Sequence, residues 1–303
     1  MIPMDNHETI RIGVDIGGTT MSVARIHRGG KITERIEIPS PARISGAAVV
    51  RELRDIVTRN WPGAASLGIG AAGVIDSHGR ILTASDSFNG WAGFHLREET
   101  EAALGIPVGV ENDVNAFLLG ETTCGVVAGE TTCLGVMLGT GVGGAIMIDG
   151  QILHGARGAA AEIGHMPGFG TAPCTCGGNG HVECTSSGRS IADRYGRATG
   201  QHVPSARVVS DAARSEDHVA QEILKDAGRV VALAILQVAT IVDLSSVVIG
   251  GGVTRDWDFV SAGIAEVTSR HPLISGADLT IHKSTLGGDA VLIGAARKGE
   301  LAC

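Results

Sequence analysis

The chain has 303 residues, room for two domains or one large α/β domain. Gly supplies 45 residues, Pro only 9, and no G-X-Y period is present, which excludes collagen and low-complexity disorder. A net charge of −8 argues against a nucleic-acid scaffold or an anionic membrane surface as partner.

No apolar run reaches the ~18 residues of a membrane span. The opening MIPMDNHETI lacks a basic-plus-apolar signal segment. Six Cys in a chain of this length do not read as a disulfide framework. A reduced, cytoplasmic setting is expected, with metal binding the first alternative use of the thiols.

In chain order, Ile10 to Ile16 reads as a short apolar strand ending in Gly17-Gly18-Thr19-Thr20, and Met21 to Ile26 alternates as a second strand. Strand, glycine turn, strand is a hairpin. A Rossmann fingerprint or a P-loop needs a helix directly after the glycines, so both are disfavoured. Ala47 to Arg59 predicts a helix with Val49, Val50, Leu53, Ile56 and Val57 on one face. Leu67 to Ala72 reads as a buried strand, Leu96 to Leu104 as a helix, Val108 to Val110 as a strand, and Asp113 to Gly120 opens another helix. The hairpin pattern returns at Cys133 to Leu138, turn Gly139 to Gly144, strand Ala145 to Ile148. Ser187 to Thr199 predicts a helix capped by Ser186 or Ser187. Val219 to Val242 predicts a long apolar helix. Val247 to Ile249 runs into Gly250-Gly251-Gly252 and a helix over Asp256 to Ser269, and Ala290 to Lys298 closes the chain as a helix. Strands alternating with helices make this α/β. Two glycine hairpins in similar settings suggest two related domains.

Five motifs carry chemistry. The turn Gly17-Gly18-Thr19-Thr20 is either an ordinary tight hairpin or a phosphate cradle of backbone N–H groups and threonine hydroxyls, with Asp15 placed to hold Mg²⁺ through water. The turn containing Thr140, Gly141 and Gly143 poses the same choice, and Gly251-Gly252 is either a close helix–strand contact or a flat surface against a purine. Glu111-Asn112-Asp113-Val114-Asn115 sits at a strand-to-helix junction. One helix cap needs one such side chain, so four polar groups point to a binding site. His165, Cys174, Cys176 and His181 are four Zn²⁺-type ligands around a glycine-rich turn, with Cys184 a rival fourth. The alternative is a pair of buried or redox-active thiols. Cys124, Cys133 and Cys303 stand apart as core or tail thiols.

Together DIGGTT at 15–20, ENDVNA at 111–116, LGTGVGGA at 138–145, HGARGAAAEIGH at 154–165, CTCGGNGHVE at 174–183 and VIGGGV at 248–253 resemble the ROK family (repressors, open reading frames and sugar kinases) of the hexokinase–actin–chaperone ATPase superfamily. The resemblance implies two actin-like, ribonuclease H-like α/β domains flanking an ATP and sugar cleft. The expected division is 1–113 plus 290–303, and 114–289. It implies ATP-dependent phosphorylation of the 6-hydroxyl of a hexose or N-acetylhexosamine, glucose or N-acetylmannosamine first, with Asp113 as catalytic base. Asp15, Gly17, Gly18, Thr19, Thr20, Thr140, Gly141 and Gly143 would serve the phosphates and Mg²⁺, and Gly251 and Gly252 the adenosine. Gly73, Asn89, Asn112, Asp113, Glu162, His165 and Glu183 would hold the sugar. A structural Zn²⁺ would sit on His165, Cys174, Cys176 and His181. Homodimers or homotetramers are expected, and no nucleic-acid or membrane partner.

Three positions depart from the family pattern. Thr20 stands where Lys or Asn is usual, His181 stands where the third Cys of the loop is expected, and Ala161 replaces the Gly before EIGH, taken as the mildest of the three. The competing readings are a sugar-binding transcriptional regulator, which needs a helix-turn-helix ahead of Asp15, an inactive sugar-binding ROK protein, and an acetate-kinase-like or chaperone-like ATPase.

Overall fold

The computed structural model describes residues 9–84 and 88–303. The chain divides into two compact units. The first runs to Gly129 and adds 154–160 and 288–303; the second holds 130–153 and 161–287.

The first unit contains β1 (Ile10–Ile16), β2 (Thr20–Ile26), β3 (Ile32–Pro39), α1 (Gly46–Asn60), β4 (Ala64–Ala71), the short β5 (Val74–Ile75) and β6 (Ile81–Thr83), α2 (Leu96–Leu104), β7 (Val108–Asn112) and α3 (Asp113–Cys124). Its sheet has the order β3-β2-β1-β4-β7. β2 is antiparallel to both β1 and β3, while β1, β4 and β7 are parallel. Ser45 caps α1 by accepting from the Ala48 N–H at 3.1 Å, and α1 buries Val49, Leu53, Ile56 and Val57 as its apolar stripe requires.

The second unit contains β8 (Cys133–Leu138), β9 (Val142–Ile148), β10 (Gln151–Ile152), α4 (Glu183–Ser186), α5 (Gly188–Thr199), α6 (Ala206–Arg214), α7 (His218–Val242), β11 (Ser246–Gly250), α8 (Trp257–Thr268) and β12 (Thr280–Lys283). The chain then returns to the first unit as α9 (Asp289–Glu300). The second sheet has the order β10-β9-β8-β11-β12. β8 and β9 form the antiparallel hairpin, and β8, β11 and β12 are parallel. The two sheets therefore share one plan: a glycine hairpin at one side of a three-stranded parallel core. This is the pair of related α/β domains that the repeated hairpins suggest.

Glycine has a second use beyond turns. Gly13, Gly68 and Gly109 lie in register across β1, β4 and β7. A Cβ on any of them would strike the backbone of α9, at Leu292 O, Ala295 O and Lys298 O respectively. A row of bare Cα atoms thus lets α9 lie directly on the sheet. α3 approaches α9 in the same way, through Gly120 against Ala290 and Gly294 against Ala116. In the second unit α7 and α8 meet through Gly228 and Gly263.

These contacts move the expected division of the chain. The first unit ends at 129 rather than 113, because α3 packs on α9. It also takes 154–160, where Gly158 lies against the Ile75 carbonyl. The second hairpin turn is shorter than expected: Gly143 and Gly144 lie within β9, and Gly144 leaves room for the Ala161 carbonyl. Among the described residues, no helix is long and apolar enough to cross a membrane.

Candidate functional site

In the first unit, the junction of β7 and α3 builds the polar centre. Asn112 is the N-cap: its Oδ1 accepts from the N–H groups of Val114 at 2.8 Å and Asn115 at 3.2 Å. Its Nδ2 donates to the Gly73 carbonyl at 3.0 Å, and Gly73 adopts φ +117, a backbone that suits glycine. One side chain therefore fixes both the helix start and the loop after β4. Asp113 follows as the first helical residue, with Oδ1 accepting from the Val114 N–H at 3.1 Å. Burial raises its carboxyl above the ordinary 3.8, against hydrogen bonds from Val114, its own N–H and Asn112.

Asp15 ends β1. Burial, then the charge of Asp113, push its carboxyl up to about 7, with Arg35 acting in opposition. Arg35 is itself ion-paired to Asp289. Two desolvated acids, one raised in part by the charge of the other, form a donor set that a divalent cation would relieve. Beyond Asp15, the Gly17 N–H donates to the Thr20 carbonyl at 3.0 Å, closing the turn. Neither Gly17 nor Gly18 has positive φ, so backbone strain does not account for glycine there. A Cβ on Gly17 would lie 3.2 Å from the Thr20 carbonyl oxygen, a tight fit within the turn itself. Thr19 and Thr20 are exposed. Asn89 is tied to the segment before α1, its N–H donating to the Ala42 carbonyl and its Nδ2 to the Ile44 carbonyl, both at 3.2 Å.

Glu111 is buried to 2% exposure and has four partners. Oε1 accepts from the Asn112 N–H at 3.1 Å and Asn115 Nδ2 at 2.9 Å. Oε2 lies 2.8 Å from both His154 Nε2 and Lys298 Nζ. Burial alone would raise this carboxyl, but the His154 hydrogen bond and the Lys298 charge outweigh it and bring it to about 2. His154 and Lys298 lie far along the chain, in segments without a local signal for this role. Only the density of polar groups at 111–115 hinted at such a hub.

In the second unit, the turn at 139–141 closes through Gly139 N–H to the Gly141 carbonyl at 3.0 Å, and the Gly188 N–H of α5 donates to the Gly139 carbonyl at 2.8 Å. A cavity of about 610 Å³ opens beside it, lined by Gly139, Thr140, Gly188, Arg189, Asp193 and Gly252 among others. This volume suits a small organic ligand. Gly251 has φ +93, and a Cβ there would meet the Leu138 carbonyl at 2.5 Å, whereas a Cβ at Gly252 would meet nothing. The first glycine is required by the backbone; the second leaves the wall bare.

The cysteine loop folds as a small hairpin, with Pro173 bridged to Asn179 and the Cys174 N–H donating to the Gly178 carbonyl at 2.8 Å. It brings His165, Cys174, Cys176 and His181 together, with their ligand atoms all within 4.8 Å of one another. Cys174 Sγ lies 3.7 Å from His165 Nδ1, and Cys176 Sγ lies 3.4 Å from His181 Nδ1. A tetrahedral Zn²⁺ with ordinary bond lengths implies an S–N edge of about 3.6 Å, so the donors fit. Burial raises the Cys174 thiol, but hydrogen bonds from the Cys176 N–H, His181 and other thiols bring it to about 7, toward the thiolate a metal needs. Cys184 falls outside the cluster, and its thiol donates to the Pro173 carbonyl at 3.6 Å. His165 turns Nδ1 toward Cys174, which leaves Nε2 for another partner. Glu162 is exposed. Ala161 has φ +63, a left-handed backbone that costs a non-glycine residue about 1 kcal/mol. Its replacement of Gly is therefore less mild than the sequence suggests.

Two such sheets, each built on a glycine hairpin, make the actin-like ATPase fold, as ROK kinase structures display it. The chain belongs to the ROK family, whose model matches residues 11–298. It is 32% identical to a glucokinase of Halalkalibacterium halodurans, over 93% of this chain and 92% of that one. It is 30% identical to an N-acetylmannosamine kinase of Escherichia fergusonii, over 80% and 82%. Among solved structures, a ROK family glucokinase from Streptomyces griseus in complex with glucose and AMPPNP matches with a TM-score of 0.81 and 29% identity, over 96% of this chain and 99% of that chain. A ROK hexokinase from Thermus thermophilus matches with a TM-score of 0.83 and 26% identity, over 97% and 98%. A ROK family transcriptional regulator shares the fold, at 22% identity and a TM-score of 0.85, over 98% of this chain and 81% of that one.

Proposed function

We propose that the protein is an ATP-dependent sugar kinase acting on the 6-hydroxyl of a hexose or N-acetylhexosamine, with glucose and N-acetylmannosamine the first candidates. The observation that carries this reading is Asp113, a carboxyl raised by burial at the first turn of α3 and coupled to Asp15. A sugar hydroxyl is a poor nucleophile at neutral pH, and a carboxylate in reach of it takes its proton as the phosphorus is approached. Raising the Asp113 carboxyl makes its carboxylate a stronger base.

Phosphoryl transfer otherwise needs alignment and charge neutralisation. Asp15 would hold Mg²⁺, which supplies charge to the phosphates when bound. Gly17, Gly18, Thr19 and Thr20 in the first unit, and Thr140, Gly141 and Gly143 in the second, would present N–H and hydroxyl donors to phosphate oxygens. Gly251 and Gly252 would face the adenosine. Asn89, Asn112, Asp113, Glu162, His165 and Glu183 would pair with sugar hydroxyls, a polar set that rejects analogues lacking them, with Gly73 lining the site. His165, Cys174, Cys176 and His181 would hold a structural Zn²⁺ that orients His165 by its Nδ1. Assembly as a homodimer or homotetramer fits the exposure of Leu233 and Ile241 on α7, at 39% and 82%.

The test is a panel of hexoses and N-acetylhexosamines incubated with ATP and Mg²⁺, with the product's phosphorylated position read by NMR. Phosphate at C6 of glucose or N-acetylmannosamine supports the reading. ATP left unconsumed with every sugar, alongside sugar binding by calorimetry, favours a regulator or an inactive binder.

A further inference from the structure

Glu183 is assigned a sugar contact above, yet its carboxylate already spans three parts of the second unit. It is buried to 8% exposure. Oε2 accepts from the Val142 N–H at 3.2 Å, at the exit of the 139–141 turn. Oε1 accepts from Thr175 Oγ1 at 3.1 Å, between the two loop cysteines, and from Arg189 Nη2 at 3.3 Å on α5. The fit against the turn is tight: a Cβ on Gly141 would lie 2.4 Å from Oε2. Arg189 and the turn residues Gly139 and Thr140 line one cavity.

From these contacts we infer that Glu183 is a positioning residue that couples the cysteine loop to the turn at 139–141, so that metal on the loop sets the affinity for the phosphate donor. The inference rests on reading that turn as a nucleotide contact. The physical chain is short. The four ligands fix the loop and, with it, Thr175. Thr175 and Arg189 orient the Glu183 carboxylate. That carboxylate fixes the Val142 N–H, and so the direction in which the N–H groups of the turn point. Without metal the loop has only its own few hydrogen bonds to hold its shape, and one of the carboxylate's restraints slackens. A charge-assisted hydrogen bond lost in this way is worth about a tenfold change in binding.

The experiment is a binding cycle on the full chain, with no turnover involved. The dissociation constant of a non-hydrolysable ATP analogue is measured by calorimetry for the wild type and for Glu183→Gln, each zinc-loaded, chelator-stripped and reloaded. Stripping zinc from the wild type should weaken the analogue about tenfold, reversibly. Glu183→Gln should weaken it by a similar factor with zinc present, and stripping zinc from that variant should add little. Thr175→Val, which leaves all four ligands intact, should retain zinc and melt as the wild type does while binding the analogue several-fold more weakly. Additive effects, or an analogue affinity unmoved by zinc and by Thr175→Val, would overturn the coupling. Zinc-loaded wild type that binds no analogue would instead overturn the nucleotide reading of the turn, and the coupling with it.

Discussion

Lys298, in the last helix of the chain, places its ammonium 2.8 Å from Oε2 of Glu111, at the end of β7. The two residues are 187 positions apart, and the bond secures the strand end that carries Asn112 and Asp113. Removing one partner of a buried ion pair costs about 3–5 kcal/mol. Glu111→Ala should lose that much in urea unfolding at pH 7, and Lys298→Met less, because His154 still contacts the carboxylate. The pH dependence has a defined sign. The folded carboxyl lies at about 2 against an ordinary 4.5, so its stabilisation is present above 4.5 and fades as pH falls toward 2. Glu111→Gln should therefore differ from the wild type most above pH 4.5 and converge with it in acid. A Glu111→Ala loss below about 1 kcal/mol would contradict this.

Gly68→Ala tests the packing of α9 on the first sheet. The added methyl would sit 1.6 Å from the Ala295 carbonyl oxygen, a backbone atom that cannot rotate away. The expected cost exceeds about 3 kcal/mol, by overpacking. Gly29→Ala is the control for surface effects, since its Cβ meets nothing within 4 Å; the left-handed backbone there adds about 1–2 kcal/mol. Equal melting temperatures for the two variants would refute the close contact.

Asp15 carries the opposite pH signature to Glu111. Its folded carboxyl is raised to about 7 from 3.8. Its contribution is therefore fully present below pH 3.8 and is lost as pH rises through 7. Asp15→Asn should melt with the wild type at pH 4 and above it at pH 8 in Mg²⁺-free buffer. The linkage bound is about 4 kcal/mol. A melting difference of the same size at every pH would show that Asp15 does not titrate in this range.

The loop cluster predicts one zinc per chain in protein purified without chelators. His181→Ala should lose it, while His181→Cys and Cys184→Ala should keep it, because Cys184 bonds the Pro173 carbonyl and stays outside the cluster. Elemental analysis decides. Metal-free wild type, or full zinc in His181→Ala, would remove the site.

Much of this architecture was legible from local pattern. Both glycine hairpins, the Ser187 cap of α5 and the long α7 follow from periodicity and turn chemistry. β3 was not, because its alternation runs between apolar residues and charges on a half-exposed strand. α6 was hidden in a short, polar stretch. The division into units was least legible. It depends on α3 meeting α9 through Gly120 and Gly294, a contact between residues remote in sequence. The site divides in the same way. The four proposed metal ligands are close in sequence and could be read together, whereas His154 and Lys298 reach Glu111 only through the fold. The left-handed backbone at Ala161 likewise depends on how β9 and the following turn pack.

In the proposed reaction Asp113 takes the proton of a sugar hydroxyl during phosphoryl transfer from ATP. The most direct measurement compares wild type and Asp113→Asn in an ATP-coupled assay with glucose and with N-acetylmannosamine, alongside calorimetric sugar binding. The prediction is a kcat lower by about 10²–10⁴-fold in the variant, with sugar affinity changed by only a few-fold. Turnover by Asp113→Asn at the wild-type rate would contradict the claim.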